Sequence, residues 1–160
     1  MVKYVLVLPV ENTEGSYEGK LPLHCTLMPP FETSVEHAVL FALLSIICAR
    51  YSPLLLVSRQ SATSARAAEK VHVLQHNPKL HELHAEILKE LNKWGVVHAG
   101  ESYIGEGYWP HVTTTATSDF PPGSACLVEM ATILIYEEIP RAKGASRKRK
   151  VVASSFPFWG

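Results

Sequence analysis

Two triplets of one pattern, His24-Cys25-Thr26 and His111-Val112-Thr113, hold the residue types that move protons at a phosphodiester. Residues i and i+2 of a β-strand point to the same face. Each triplet therefore aims an imidazole and a hydroxyl in one direction and turns Cys25 or Val112 the other way. Two such pairs facing one small anion would supply two acid/base groups and two hydroxyl donors. Cleaving a phosphodiester needs a base for the attacking hydroxyl and an acid for a poor alkoxide leaving group. Imidazole, with an ordinary pKa of about 6.5, can serve as either near neutrality. Threonine hydroxyls can meet the charge that grows on the non-bridging oxygens. Which histidine would be acid and which base is not fixed by the residues.

The remaining chemistry-bearing residues are less specific. Metal-assisted cleavage is built on clustered carboxylates, and Asp119 is the single aspartate here, with the glutamates scattered. The expectation is chemistry without metal or any other cofactor. His72, His76, His81 and His84 crowd one region. His81-Glu82-Leu83-His84 brings its second histidine one residue early for H-E-x-x-H, so it reads as a solvated helix face. Gly15-x-x-x-Gly19-Lys20 falls short of a phosphate-binding loop, and Gly105-x-Gly107 leads into Pro110 rather than a helix. Cys25 diverges from His24 on a strand and reads as inertly buried. Tyr108 and Trp109, with Tyr103, could stack a nucleobase beside the second triplet, and Phe31 or Tyr4 could line the other side.

Both triplets fall in segments that read as strands. Tyr4 to Val10 is a buried run, Glu11 to Lys20 a loop, and Leu21 to Met28 a strand that Pro29-Pro30 ends. Thr33 with Glu36 predicts a capping box, followed by a helix burying Val35, Val39, Ala42, Leu43, Ile46 and Ile47. Leu54 to Arg59 and Val71 to Gln75 are expected strands, separated by a loop or short helix from Ser61 to Lys70. Asn77-Pro78 opens a second helix that buries Leu80, Leu83, Ile87, Leu88, Leu91 and Trp94, closed by Gly95. His98 to Gly107 is a Gly-rich loop. Trp109 to Thr115 carries the second triplet, Leu127 to Ile139 is a long strand, and Val151 to Phe156 pairs with it. The order β-β-α-β-β-α-β-β predicts an α+β fold with two pseudo-symmetric antiparallel lobes.

At 160 residues, 47% hydrophobic and 19% charged, the chain can bury one sizeable core, so residues 1–160 are expected to form a single domain. Formal net charge is zero, but all six cations from Arg141 to Lys150 lie in one stretch without an acid. A body that is otherwise acidic argues against long duplex nucleic acid as a partner. The basic run is either a solvated hairpin turn or a contact for RNA phosphates. Three widely spaced cysteines fit reduced thiols in a cytoplasmic protein. The apolar run Ala38 to Ala49 is too short to span a bilayer, so no membrane partner is expected. Nothing in the residues speaks to oligomeric state.

Leu23-His24-Cys25-Thr26-Leu27 followed by Pro29-Pro30-Phe31 resembles the first motif of the 2H phosphoesterase superfamily, which includes the LigT-like so-called 2′-5′ RNA ligases. Trp109-Pro110-His111-Val112-Thr113 resembles its second, where proline often precedes the histidine. Thr114 departs from the pattern, which usually has a hydrophobic residue there. The resemblance implies a bilobal fold with helices outside and a central cleft, His24 and His111 as catalytic acid and base, and Thr26 and Thr113 as phosphate ligands. It implies as substrate a small nucleotide or an RNA end: a 2′,3′-cyclic phosphate, a 2′-5′ linkage or a cyclic oligonucleotide messenger. The family also includes phage-encoded enzymes that destroy defence messengers, an option nothing in the residues selects. The alternative is a nucleotide- or RNA-binding module that holds phosphate without turnover.

Overall fold

In the computed structural model, which describes residues 1–64, 69–140 and 142–160, ten antiparallel strands come in runs of three, two and five separated by two α-helices, with two short 3-10 turns in the last run. The strands are β1 Val2–Pro9, β2 Ser16–Tyr17, β3 His24–Thr33, β4 Leu54–Thr63, β5 Lys70–Leu74, β6 Val97–His98, β7 His111–Thr113, β8 Ala125–Val128, β9 Met130–Ile139 and β10 Arg147–Pro157. The helices are α1 His37–Ala49 and α2 Pro78–Asn92. The spatial order is β2-β10-β9-β1-β3-β7-β5-β4-β8, with β6 pairing on β3. Strand β8 lies at one end of this order, yet Glu129 alone links it to β9, near the other end. The sheet must therefore curl into a half-barrel. Its two halves meet where β3 and β7 lie side by side.

The helices pack on the convex face. Leu40, Leu44, Ile47 and Cys48 of α1 and Leu80, Leu83, Ile87 and Leu91 of α2 share one core with Tyr4, Leu6, Leu8, Cys25, Leu27, Phe31 and Val112. A smaller cluster of Val5, Val7, Leu21 and Leu134 sits on the opposite, concave face, with Tyr136 and Val152 against it. The alternation along β1 and β3 thus separates core from cleft, as a period of two requires.

Several expectations need correction. Strand β3 runs through Pro29-Pro30 instead of ending there. Tyr4 pairs with Phe31 and Leu6 with Met28, so the β1–β3 register shifts at the prolines. An irregularity of this kind is where missing N–H donors cost no ladder bond. No capping box forms: Glu36 caps α1 without a side-chain bond, and the Thr33 hydroxyl accepts from the Val35 amide at 3.1 Å. Val39 and Ile46 of the predicted apolar face are exposed. Because α1 is apolar almost all round, periodicity does not select its buried side; the sheet does. In α2 the Asn77 side chain accepts from the Leu80 amide at 3.2 Å as expected, but Trp94 lies exposed beyond its end. The long final strand is β8 and β9, which break at Glu129 to enter different halves. Of the loop predicted from Ser61 to Lys70, residues 61–63 and 70 are strand, and 65–68 lie outside the described residues.

Candidate active site

The two triplets come together at the seam. Strands β3 and β7 are antiparallel neighbours with Cys25 opposite Val112. In an antiparallel pair that register sets His24 across from Thr113 and Thr26 across from His111. All four side chains leave the same, concave face, because Cys25 and Val112 are fully buried on the other. The two histidines stand on the diagonal, where sheet geometry separates side chains by roughly 7–8 Å. That span leaves room for a phosphate between them.

Each imidazole is oriented by the same local device. His24 Nδ1 lies 2.8 Å from the Pro22 carbonyl, and His111 Nδ1 lies 2.7 Å from the Trp109 carbonyl, both two residues upstream. A carbonyl only accepts, so Nδ1 carries the proton at each ring. Nε2 is then the nitrogen left for the cleft, and among the described residues it has no protein partner at either histidine. Neither Pro22 nor Pro110 has an amide proton to donate there.

The surroundings differ on the two sides. His24, Thr26 and Thr113 line a cavity of about 240 Å³ together with Tyr136 and Lys150. Burial holds the His24 imidazole below its ordinary pKa, and the nearby Lys150 and His111 charges push the same way, against the Pro22 bond. His111 and Thr26 line a second cavity of about 190 Å³ with Trp109, Tyr103 and the Pro29-Pro30 segment. The Trp109 ring leans on His111, centroids 4.8 Å apart. A larger cavity of about 500 Å³ lies elsewhere, near Tyr51 and Asn77. Neither triplet reaches it, and its charges are paired as Arg50–Glu86 and Lys79–Glu82.

The other proposed stacking residues are not available as bases' partners. Tyr4 and Phe31 are fully buried on the convex face, stacked on each other at 5.6 Å, because their strand positions share a face with Cys25 rather than His24. Tyr108 edges the second cavity, but its ring lies flat on His84 at 3.9 Å and its hydroxyl donates to the Thr26 carbonyl at 2.8 Å. It buttresses Thr26 instead of offering a face.

The histidine-rich region also needs correction. His84 is buried, not solvated: Nδ1 donates to the Leu27 carbonyl at 2.8 Å and Nε2 accepts from the Gly105 amide at 2.9 Å. His72 is buried too, 2.6 Å from Asp119, whose Oδ1 also accepts from the Thr114 hydroxyl at 2.9 Å. The polar Thr114 thus belongs to a network behind β7, away from the cleft. Among the described residues no group of three or more His, Cys, Asp or Glu could hold a metal. Burial pushes the Cys25 thiol up to about 12.

Sequence reasoning missed Glu11 and did not separate Lys150 from the rest of its basic run. Glu11 accepts from the Leu23 amide at 2.9 Å and from Ser118 at 2.9 Å, fixing the residue before His24. Lys150 comes from the basic run, of which Arg141 lies outside the described residues. Arg147 and Arg149 of that run pair with Glu18 and Glu137 on the surface, whereas Lys150 turns into the cleft. Its direction follows from alternation along β10, a signal that required knowing which face is concave.

No family model matches the sequence, and no curated protein matches it. Solved structures do match its fold over nearly its whole length. A crystal structure described as a phosphoesterase aligns with TM-score 0.62 and 13% identity, covering 98% of both chains. Apo LigT of E. coli aligns with TM-score 0.60 and 14% identity over 98% of this chain and 97% of that one. The protein TT0787 of Thermus thermophilus aligns with TM-score 0.59 and 17% identity over 100% and 99%. LigT structures are also known with NADP+, 3′-AMP, ATP and phosphate. The chain has the LigT-like α+β fold.

Proposed function

We propose that this chain, with its LigT-like fold, is a 2H-type phosphodiesterase of small nucleotides, working by histidine acid/base catalysis without metal. The reading rests on one observation above all. Two histidines, each with Nδ1 tied to the carbonyl two residues back, present Nε2 to one cleft, each opposite the other triplet's threonine. The nucleotide complexes of LigT support a small nucleotide as substrate. His24, held below its ordinary pKa by burial and by Lys150, is neutral at pH 7 and suited to be the base. His24 Nε2 takes the proton of the attacking water or ribose hydroxyl as its oxygen bonds to phosphorus. The opposite P–O bond breaks, and the Nε2 proton of His111 goes to the departing alkoxide. Thr26 and Thr113 hydroxyls donate to the non-bridging oxygens, where charge is greatest. Acid and base exchange protons with solvent between turnovers. Residues 1–160 form the catalytic unit, working in the cytoplasm.

The test is a screen with product identification against 2′,3′-cyclic nucleotides, 2′-5′ and 3′-5′ dinucleotides and cyclic oligonucleotides, in EDTA. Turnover of one class with a defined cleaved linkage is expected. Binding without turnover would favour a nucleotide-binding module, and activity restored only by Mn²⁺ or Zn²⁺ would overturn the metal-free mechanism.

A further inference from the structure

The cleft is asymmetric about the two histidines, and the asymmetry bears on what flanks the scissile phosphate. On the His111 side the wall is aromatic and prolyl. On the His24 side it holds a cation, Lys150, whose environment differs from that of Arg147 and Arg149 in the same run. Lys150 is half-buried as a residue; its ammonium lies 6.0 Å from the Tyr136 ring centroid and donates to the Gly19 carbonyl at 3.2 Å. Among the described residues it makes no ion pair. Lys20 and Glu69 line the same cavity but pair with each other at 3.3 Å. A cation taken partly out of water without a carboxylate is costly, and a bound anion relieves that cost.

The position of Lys150 separates it from the scissile group. Its strand, β10, is three strands from β3 in the order β10-β9-β1-β3. That is about 14 Å of sheet. Lys150 also pairs with Tyr136, in the row of Lys3 rather than the row of Val7, which lies opposite Thr26. Only the curl of the sheet brings the ammonium into the cavity of His24. It stands on the wall of the cleft, on a strand set apart from the two that carry the triplets.

Resting on the phosphodiesterase reading, we propose that Lys150 forms a second phosphate subsite on the His24 side, so that the preferred substrate carries another phosphate next to the scissile one. The substrate class is then a phosphorylated dinucleotide or a longer or cyclic oligonucleotide, rather than a cyclic mononucleotide. A nucleoside sits toward Trp109, and the additional phosphate sits at Lys150.

The probes are dinucleotides that differ only in a terminal phosphate, at the 5′ or the 3′ end, compared in wild-type and Lys150→Met protein. A charge-assisted contact of this kind makes the phosphorylated dinucleotide better in kcat/KM by about tenfold or more. In Lys150→Met that ratio is expected to collapse toward one. A wild-type ratio of one for both ends, or a ratio that survives the substitution, overturns the subsite. The same comparison by calorimetric binding to His111→Asn protein separates the two claims. A lost preference in binding rejects the subsite, whereas preserved preference with no turnover of either dinucleotide by wild type rejects only the phosphodiesterase reading.

Discussion

His84→Leu is expected to weaken the fold by about 1.5–5.5 kcal/mol and to disturb the cleft without touching it. His84 joins three elements. It sits on α2, donates to the Leu27 carbonyl of β3 and accepts from the Gly105 amide in the loop before β7. Leucine leaves both backbone groups buried and unpaired, at about 1–3 kcal/mol each. It also removes the ring stacked flat on Tyr108, a further 0.5–1.5 kcal/mol or so. The added apolar burial offsets roughly 1–2 kcal/mol of this. Tyr108 then loses its support, and with it the hydroxyl that fixes the Thr26 carbonyl. Urea unfolding followed by tryptophan fluorescence gives the free energy, and amide exchange at Gly105 reports the loop. A loss under about 1 kcal/mol, or an unchanged Gly105 protection, would refute the bridging role.

Thr26→Val and Thr113→Val each keep shape while removing a hydroxyl, and each is expected to lower kcat/KM by roughly 10²–10³ with an unchanged circular dichroism spectrum. Because the proposed base must be neutral and the His24 pKa is lowered, the acid limb of kcat/KM is expected below pH 6.5; Lys150→Met removes a like charge and moves that limb to higher pH. His24, His81, His84 and His98 are all held below their ordinary pKa, chiefly by burial. The unfolded chain binds more protons, so stability is full above about pH 6.5 and falls as the pH drops through the lowered values, which urea titrations between about pH 4 and 8 would show. Cys25 and Cys48, both buried with thiols pushed up to about 12, are expected to resist a thiol reagent at about pH 8 in the native state, with mass spectrometry finding label at Cys126 alone.

Local signals read correctly in the sequence. The Asn77-Pro78 helix start, the β9–β10 pairing and the strand character of both triplets depend on residues close in the chain. Failures came where distant partners decide. Pro29-Pro30 looks like a strand end until β1 is there for the register to shift against. His84 looks like a surface helix residue until the Leu27 carbonyl and the Gly105 amide are placed on either side of it. The two glycines before Tyr108 read as a loose loop, but a Cβ at Gly107 would lie 2.2 Å from the Ser102 carbonyl, so the turn is closely packed. Phe31 could be assigned to the core only once the face opposite His24 was known, and Tyr4, already in a buried run, could be kept off the cleft only then. Lys150 was hidden in a basic run in which Arg147 and Arg149 form surface ion pairs.

The most direct test of the account is single-turnover cleavage of a dinucleoside phosphodiester in EDTA by wild type, His24→Asn, His111→Asn and the double variant. Asparagine can keep the donor that meets the Pro22 or Trp109 carbonyl while removing the cleft-facing nitrogen. The account predicts that each single change lowers the rate by roughly 10²–10⁴, and that the double change adds little to the worse of the two. A single variant within about tenfold of wild type, or wild-type cleavage abolished by EDTA, would contradict it.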